Sequence, residues 1–137
     1  MRTFLVVAAL AALACRKSPP PPFDATDIPA AVAAARAGHK RILITVDGAD
    51  CVKCRALDAV YAKRPALAAL RDKNFVVLAA RVAIEKLPAP GAPPHLYVLD
   101  ENGSLINSES ASKLEKDGVY DLDKIEFFLK AFGPPQK

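Results

Sequence analysis

The sequence predicts an α/β sandwich built around a mixed β-sheet. Three observations lead to this prediction. Helical and strand patterns alternate along the chain, a Cys-Val-Lys-Cys sequence at residues 51–54 follows a strand pattern, and a strand pattern after Pro94 leads into a hairpin turn. Two strands joined through a helix form a right-handed parallel crossover, and a hairpin adds an antiparallel neighbour. We therefore expect a mixed sheet of four strands.

The chain divides into four segments by composition. Residues 1–15 combine Arg2 with an apolar run of about ten residues, too short to span a bilayer and typical of a secretion signal. Residues 16–26 are rich in proline, which predicts a stiff, extended tether. We place one folded domain at residues 27–133, followed by a short tail at 134–137.

The signal segment ends in Ala-Leu-Ala-Cys, which is similar to the lipobox of bacterial lipoproteins, although Ala12 stands where leucine is usual. In a lipobox the cysteine is lipidated and becomes the mature N-terminus, so we predict that Cys15 anchors an exported, periplasm-facing domain to a bacterial membrane. The alternative is cleavage without lipid, giving a soluble periplasmic or secreted protein. Of the 3 cysteines, the two that remain form one pair.

The first helix and the first strand follow the tether. Asp27 is placed to cap a helix that has Pro29 in its first turn and ends at Gly38. The continuous apolar run at residues 42–46 predicts a buried strand over residues 40–47.

The central segment is predicted as two helices and a strand. A helix is expected over residues 51–63, because apolar side chains recur at i, i+3 and i+4 from Leu57. Pro65 interrupts it, and a helical pattern resumes over residues 66–72. An apolar run at residues 75–81 then predicts the second strand.

The last third of the chain predicts a hairpin and a final helix. Strand patterns at residues 95–99 and 105–107 flank an Asp-Glu-Asn-Gly turn. Residues 108–120 are a polar connection. The last helix is expected to begin near Asp121 and to end at Gly133.

The chain has a strand, a C-x-x-C pair at a helix start, a crossover, and a strand led by Pro94 that runs into a turn. In this order, these features resemble the thioredoxin family. Residues 42–54 are similar to the family's active-site strand and motif, and residues 94–103 are similar to its cis-proline strand and hairpin. The resemblance covers residues 27–132 and is nearest to exported bacterial members in which His-Leu follows the cis-proline. It implies a thioredoxin-like three-layer sandwich with a mixed four-stranded sheet.

The resemblance also implies thiol–disulfide exchange. Cys51 is expected to be the nucleophile, because the N-terminus of a helix stabilises a thiolate, and Cys54 would resolve the mixed disulfide. A cis-Pro94 would hold the substrate chain in an extended pose. The residues expected to contact the substrate are Pro93, Pro94, Val52 and Lys53.

Three positions are expected to tune the pair. Asp50 stands where the family commonly has tryptophan. Its carboxylate is placed to cap the helix, but it disfavours a neighbouring thiolate, whereas Lys53 favours one. Thr45 occupies the place of the buried acid that relays protons in thioredoxins, and Asp47 is the nearest alternative base.

The leading prediction is therefore a thiol–disulfide oxidoreductase of the cell envelope. It would be a monomer without a cofactor, acting on protein thiols and disulfides with a separate redox partner. Two alternatives remain open. Cys51, Cys54 and His95 are a candidate ligand set for copper or another soft metal in an accessory protein. A non-catalytic binding module would keep the same fold with a structural disulfide.

Charge and motifs exclude other classes. The formal net charge is +4, the basic residues are scattered, and no aromatic stripe interleaves them, so no nucleic-acid surface is predicted. The chain has no P-loop, no G-x-S-x-G and no dinucleotide fingerprint, which argues against nucleotide-dependent and serine-hydrolase chemistry.

Overall fold

The computed structural model of the chain describes residues 23–24 and 27–137. The predicted signal segment, the lipid site at Cys15 and most of the predicted tether lie outside these residues. None of the helices in the described part of the chain is long and apolar enough to cross a membrane.

Helices and strands alternate as the sequence predicts. In chain order the elements are β1 (Phe23–Asp24), α1 (Ile28–Gly38), β2 (Arg41–Val46), α2 (Val52–Lys63), α3 (Pro65–Asn74), β3 (Phe75–Ala80), β4 (His95–Leu99), β5 (Leu105–Ser110), β6 (Glu115–Lys116), β7 (Val119–Tyr120) and α4 (Leu122–Ala131). A 3-10 turn, Ala111–Leu114, joins β5 to β6.

The main sheet is mixed, with the strand order β1-β3-β2-β4-β5. Strands β1 and β2 run parallel to β3, β4 is antiparallel to β2, and β5 is antiparallel to β4. The thioredoxin-like sandwich with its four predicted strands is confirmed. A two-residue strand, β1, extends the sheet by one edge within the segment predicted as a tether, where it pairs with the end of β3.

Two apolar cores lie on opposite faces of the sheet. Side chains of Ile42 and Ile44 pack with Ala31 and Ala35 of α1, whereas Leu43 packs with the residues of α2, α3 and α4. Successive strand residues point to opposite faces, so β2 contributes to both cores. Burying each such side chain stabilises the fold by about 1.5–3 kcal/mol. The α2 face also carries the cysteine pair, as described below.

Helix ends follow local signals in part. Pro29 lies in the first turn of α1 as expected, but Asp27 makes no side-chain capping bond, contrary to the prediction. The carboxylate of Asp121 does cap α4, because its Oδ1 accepts the N–H groups of Asp123 at 2.9 Å and Lys124 at 3.1 Å. These bonds satisfy donors that the helix leaves unpaired at its N-terminus.

The segment predicted as a polar connection is more ordered than the sequence suggested. Strand β5 continues to Ser110, past the predicted end at residue 107, and β6 pairs with β7 in a short antiparallel hairpin. Asp117 and Gly118 form its turn with φ of 52° and 77°. Two positive φ values at an Asp-Gly pair are typical of tight hairpins, so this dipeptide was the available signal.

Candidate redox site

Cys51 and Cys54 are joined as a disulfide at the N-terminus of α2, with their Cα atoms 5.2 Å apart. Cys51 is the N-cap residue, and its Sγ accepts the backbone N–H of Cys54 at 3.0 Å. When the pair is reduced, the same N–H faces the sulfur that would carry the negative charge. This hydrogen bond and the helix dipole both stabilise a thiolate on Cys51.

The two sulfurs differ in access. Cys54 is 6% exposed, whereas Cys51 is only partly buried. Cys51 is therefore the more exposed residue of the pair, as an attacking cysteine requires. Their catalytic roles remain predictions.

Asp50 does not cap α2, because Cys51 holds that position. Asp50 is exposed and adopts a left-handed backbone with φ of 50°. The neighbouring Val52 projects from the first turn of the helix and is 68% exposed. An apolar side chain this exposed beside the disulfide is available to a substrate.

The peptide bond between Pro93 and Pro94 is cis, as the resemblance implied. Pro94 is fully buried, and its carbonyl accepts the N–H of Ala111 at 2.9 Å. Pro93 lies against the loop between β2 and α2, because a Cβ added to Gly48 would come within 2.9 Å of its Cγ. The proline pair is thus adjacent to the loop that leads into Cys51.

Lys53 points to the β6–β7 hairpin. Its Nζ lies 3.0 Å from Oε2 of Glu115 and also donates to the carbonyl of Gly118. The same ammonium lies 6.0 Å from the centre of the Tyr120 ring. The sequence analysis placed Lys53 at the site but did not identify the hairpin residues that hold it.

Thr45 and Asp47 occupy the sheet face that packs against α2. They follow Leu43 at every second position and so share its face, and Leu43 packs in that core. Burial raises the pKa of Asp47, the nearby carboxylate of Asp58 raises it further, and Arg81 partly offsets both. Asp58 was not predicted as a site residue.

Two tyrosines pack into the core on the same face. Burial raises the pKa of Tyr61 and of Tyr120 to about 12. The buried hydroxyl of Tyr120 has no hydrogen-bond partner among the described residues. Both phenols are neutral near pH 7, so neither serves as a base for the cysteine pair.

His95 is fixed on both sides of its ring. Nδ1 accepts the backbone N–H of Gly91 at 3.0 Å, and Nε2 lies 2.9 Å from Oγ of Ser108. An N–H group only donates, so Nδ1 carries a lone pair and Nε2 carries the proton. Burial lowers the pKa of His95, while the carboxylate of Glu109 raises it by less.

The structure does not bring His95 to the cysteines. His95 stands opposite Val46 and two residues from Tyr97, both of which lie in the α1 core. Its neighbour Leu96 lies in the core on the cysteine side. Among residues 27–137, no group of three His, Cys, Asp or Glu side chains is placed to hold a metal ion. The candidate metal set is therefore not assembled.

A disulfide at a helix N-terminus, beside a cis-proline in this sandwich, defines a site of the thiol–disulfide exchange type. The thioredoxin-like family matches residues 24–106, and the chain belongs to that family. Among solved structures, it is similar to a disulphide isomerase from Xylella fastidiosa Temecula1, with a TM-score of 0.61 and 23% identity over 77% of this chain and 88% of that chain. No curated protein matches the chain at a significant level.

Proposed function

We propose that this protein is a thiol–disulfide oxidoreductase of the cell envelope that exchanges disulfides with protein substrates through Cys51 and Cys54. The observation that carries the proposal is the disulfide at the N-terminus of α2 in a thioredoxin-like fold. The similar solved structure bears the name of a disulphide isomerase, which agrees with this chemistry.

In the reducing direction, the thiolate of Cys51 attacks one sulfur of a substrate disulfide. A mixed disulfide forms, and the other substrate sulfur leaves as a thiolate. Cys54 then loses its proton and attacks Sγ of Cys51, which releases the first substrate sulfur and closes the protein's own disulfide. Two electrons pass to the substrate, and the reverse sequence oxidises a substrate dithiol.

Asp47 is proposed to accept the proton of Cys54. Asp58 lies one helical turn beyond Cys54 and shares its side of α2. The carboxylate of Asp58 is near enough to Asp47 to raise the pKa of Asp47, which supports a position for Asp47 near that side. A carboxyl with a raised pKa is a better proton acceptor than an ordinary aspartate. Thr45 has no ionisable group, so it does not replace the family's buried acid.

The substrate chain is proposed to lie across Pro93, Pro94 and Val52. Pro93 and Val52 are both exposed, and the cis bond fixes the backbone between Pro93 and Pro94. The ammonium of Lys53 is already paired with Glu115, so Lys53 contributes to the substrate surface with its aliphatic stem.

The envelope location is a separate proposal. Its support is the signal-like composition of residues 1–15 and the lipobox-like end at Cys15, and the alternative of a soluble periplasmic or secreted protein stays open. The part of the predicted tether before β1, residues 16–22, would hold the domain off a membrane by roughly 3 Å per residue. Palmitate labelling that survives Cys15→Ala would argue against the anchor.

The exchange activity is tested on residues 16–137, a chain that contains only the two site cysteines. We expect dithiol-dependent reduction of a disulfide-bonded protein, and complete loss of it in Cys51→Ser. Equal activity of both proteins contradicts the proposal. A binding module of the same fold would instead hold a disulfide that glutathione does not reduce.

A further inference from the structure

The β6–β7 hairpin contacts the cysteine-bearing helix from outside the region that defines the family. The family match ends at residue 106, and the hairpin spans Glu115 to Tyr120. Tyr120 is buried in the same core as Leu57 of α2, and β7 contacts α2, so apolar packing holds the hairpin to that helix independently of any charge. The position of Glu115 is therefore set by packing.

Glu115 forms an ion pair with Lys53, a residue in the first turn of α2. The two groups are 3.0 Å apart, and their side chains are 14% exposed for Glu115 and 43% for Lys53. Lys53 lies between the two cysteines in sequence, so its ammonium is the nearest side-chain cation to Cys51 along the chain. The contact with Glu115, together with the bond to the Gly118 carbonyl, decides where that cation sits.

We propose that Glu115 sets the redox balance of the Cys51/Cys54 pair by holding and partly neutralising Lys53 on the hairpin. The proposal deepens the proposed function, on which it rests. Glu115 is a positioning residue in this role, because it acts on the sulfurs through Lys53 and does not touch the substrate.

The physical basis is a difference in charge between the two redox states. The reduced pair carries a thiolate on Cys51, and a nearby cation stabilises it. The disulfide is uncharged and gains nothing from that cation. A carboxylate bound to Lys53 weakens the cation's field at Cys51, so the native pair is more readily oxidised than it would be beside a free lysine.

The test uses residues 16–137 and needs no protein substrate. Glu115→Gln keeps the shape and an oxygen that accepts from Lys53, but it removes the negative charge. We expect the equilibrium with glutathione to move towards the reduced dithiol by about two- to fivefold, the range of a partly exposed ion pair. The pKa of Cys51, followed by thiolate absorbance, should fall in the same variant.

Lys53→Gln is expected to move the equilibrium in the opposite direction. In the Lys53→Gln background, adding Glu115→Gln should produce little further change, because the residue acts through Lys53. The matched control is Glu126→Gln, which removes a carboxylate paired with Lys130 on α4 and should leave the equilibrium unchanged.

An unchanged equilibrium in Glu115→Gln would overturn the proposal. So would an equal shift with and without Lys53, since Glu115 would then act directly on the sulfurs. These outcomes are distinct from failure of the proposed function. A protein inactive on substrates can still be measured, because a dithiol buffer replaces glutathione where glutathione does not reduce the disulfide. Urea unfolding of Glu115→Gln and Glu126→Gln verifies that both remain folded.

Discussion

The backbone N–H of Gly91 donates a hydrogen bond to Nδ1 of His95 at 3.0 Å. Gly91 lies in the irregular segment between β3 and β4, three residues before cis-Pro94. The same segment is held at Pro88, whose carbonyl accepts the hydroxyl of Tyr97. Side chains of β4 therefore position the backbone that leads into the proline pair.

This bond predicts that acid weakens the fold through His95. Burial lowers the native pKa of His95 below the ordinary value near 6.5, so the unfolded chain binds the proton more readily. The stability gained from the neutral ring is complete above pH 6.5 and is lost as the pH falls through the native pKa. Urea unfolding at pH 7.5 and pH 5 should show a larger loss in the wild type than in His95→Gln.

The control for this pH dependence is His39→Asn, which replaces an exposed imidazole at the end of α1. It should keep the wild-type dependence, and Asp47 titrates in all three proteins, so its contribution cancels. An identical pH dependence in His95→Gln and the wild type would contradict the prediction.

Gly48→Ala is predicted to slow exchange at the cysteines. The added Cβ would lie 2.9 Å from Cγ of Pro93, which is too close, and the proline ring has little freedom to yield. The loop or the proline pair must therefore shift. A misplacement of about 1 Å can cost about a hundredfold in rate, and we expect a loss of about tenfold from this smaller shift. The second-order rate with a disulfide-bonded substrate measures it.

Gly38→Ala is the matched control for the glycine change. Its Cβ would meet only the flexible side chain of Lys40 at 3.4 Å, far from the site. A wild-type rate is expected there, with a gain in stability of about 0.4–1 kcal/mol from the smaller entropy of the unfolded chain. A wild-type rate in Gly48→Ala as well would show that the contact does not matter.

Strands β2, β3 and β4 were predictable because each one carries a continuous apolar run, whereas β5 carries none and runs past its predicted end. Strands β2 and β3 lie within one residue of the predicted ends, and β4 matches the prediction. Strands β1, β6 and β7 have two residues each, too few for any periodic signal, and they form because a partner strand is present. The Asp-Gly pair was the only sequence signal for the β6–β7 hairpin.

The site was predictable where its residues are neighbours in sequence. The disulfide and its helix follow from the C-x-x-C spacing, but the contact between Lys53 and Glu115 joins residues 62 positions apart. Nothing in the local pattern reports such a contact. The separation of His95 from the cysteines did have a signal, because Leu96 alternates with His95 and the two must face opposite sides.

A pair of adjacent phenylalanines offers a test of the α4 packing. Phe128 is 3% exposed and Phe127 is 72% exposed. Phe128→Ala should lower the free energy of unfolding by about 3–5 kcal/mol, since it removes a ring from the core and leaves a cavity. Phe127→Ala should change it by no more than about 0.5 kcal/mol. Equal losses in urea unfolding would mean that α4 is not packed as described.

The order of attack predicts that only one single-cysteine variant traps a substrate efficiently. In Cys54→Ser, the thiolate of Cys51 forms a mixed disulfide that nothing resolves. In Cys51→Ser, the remaining thiol is buried and lacks the N-cap position. A thiol of ordinary pKa near 8.5 is only a few per cent ionised at pH 7, whereas a thiol with a pKa lowered to about 7 is half ionised. We therefore expect about tenfold more adduct from Cys54→Ser than from Cys51→Ser. Mass spectrometry of the adducts after equal exposure to an oxidised protein measures the ratio. A ratio near one, or a larger yield from Cys51→Ser, would reverse the assignment of attacking and resolving sulfur.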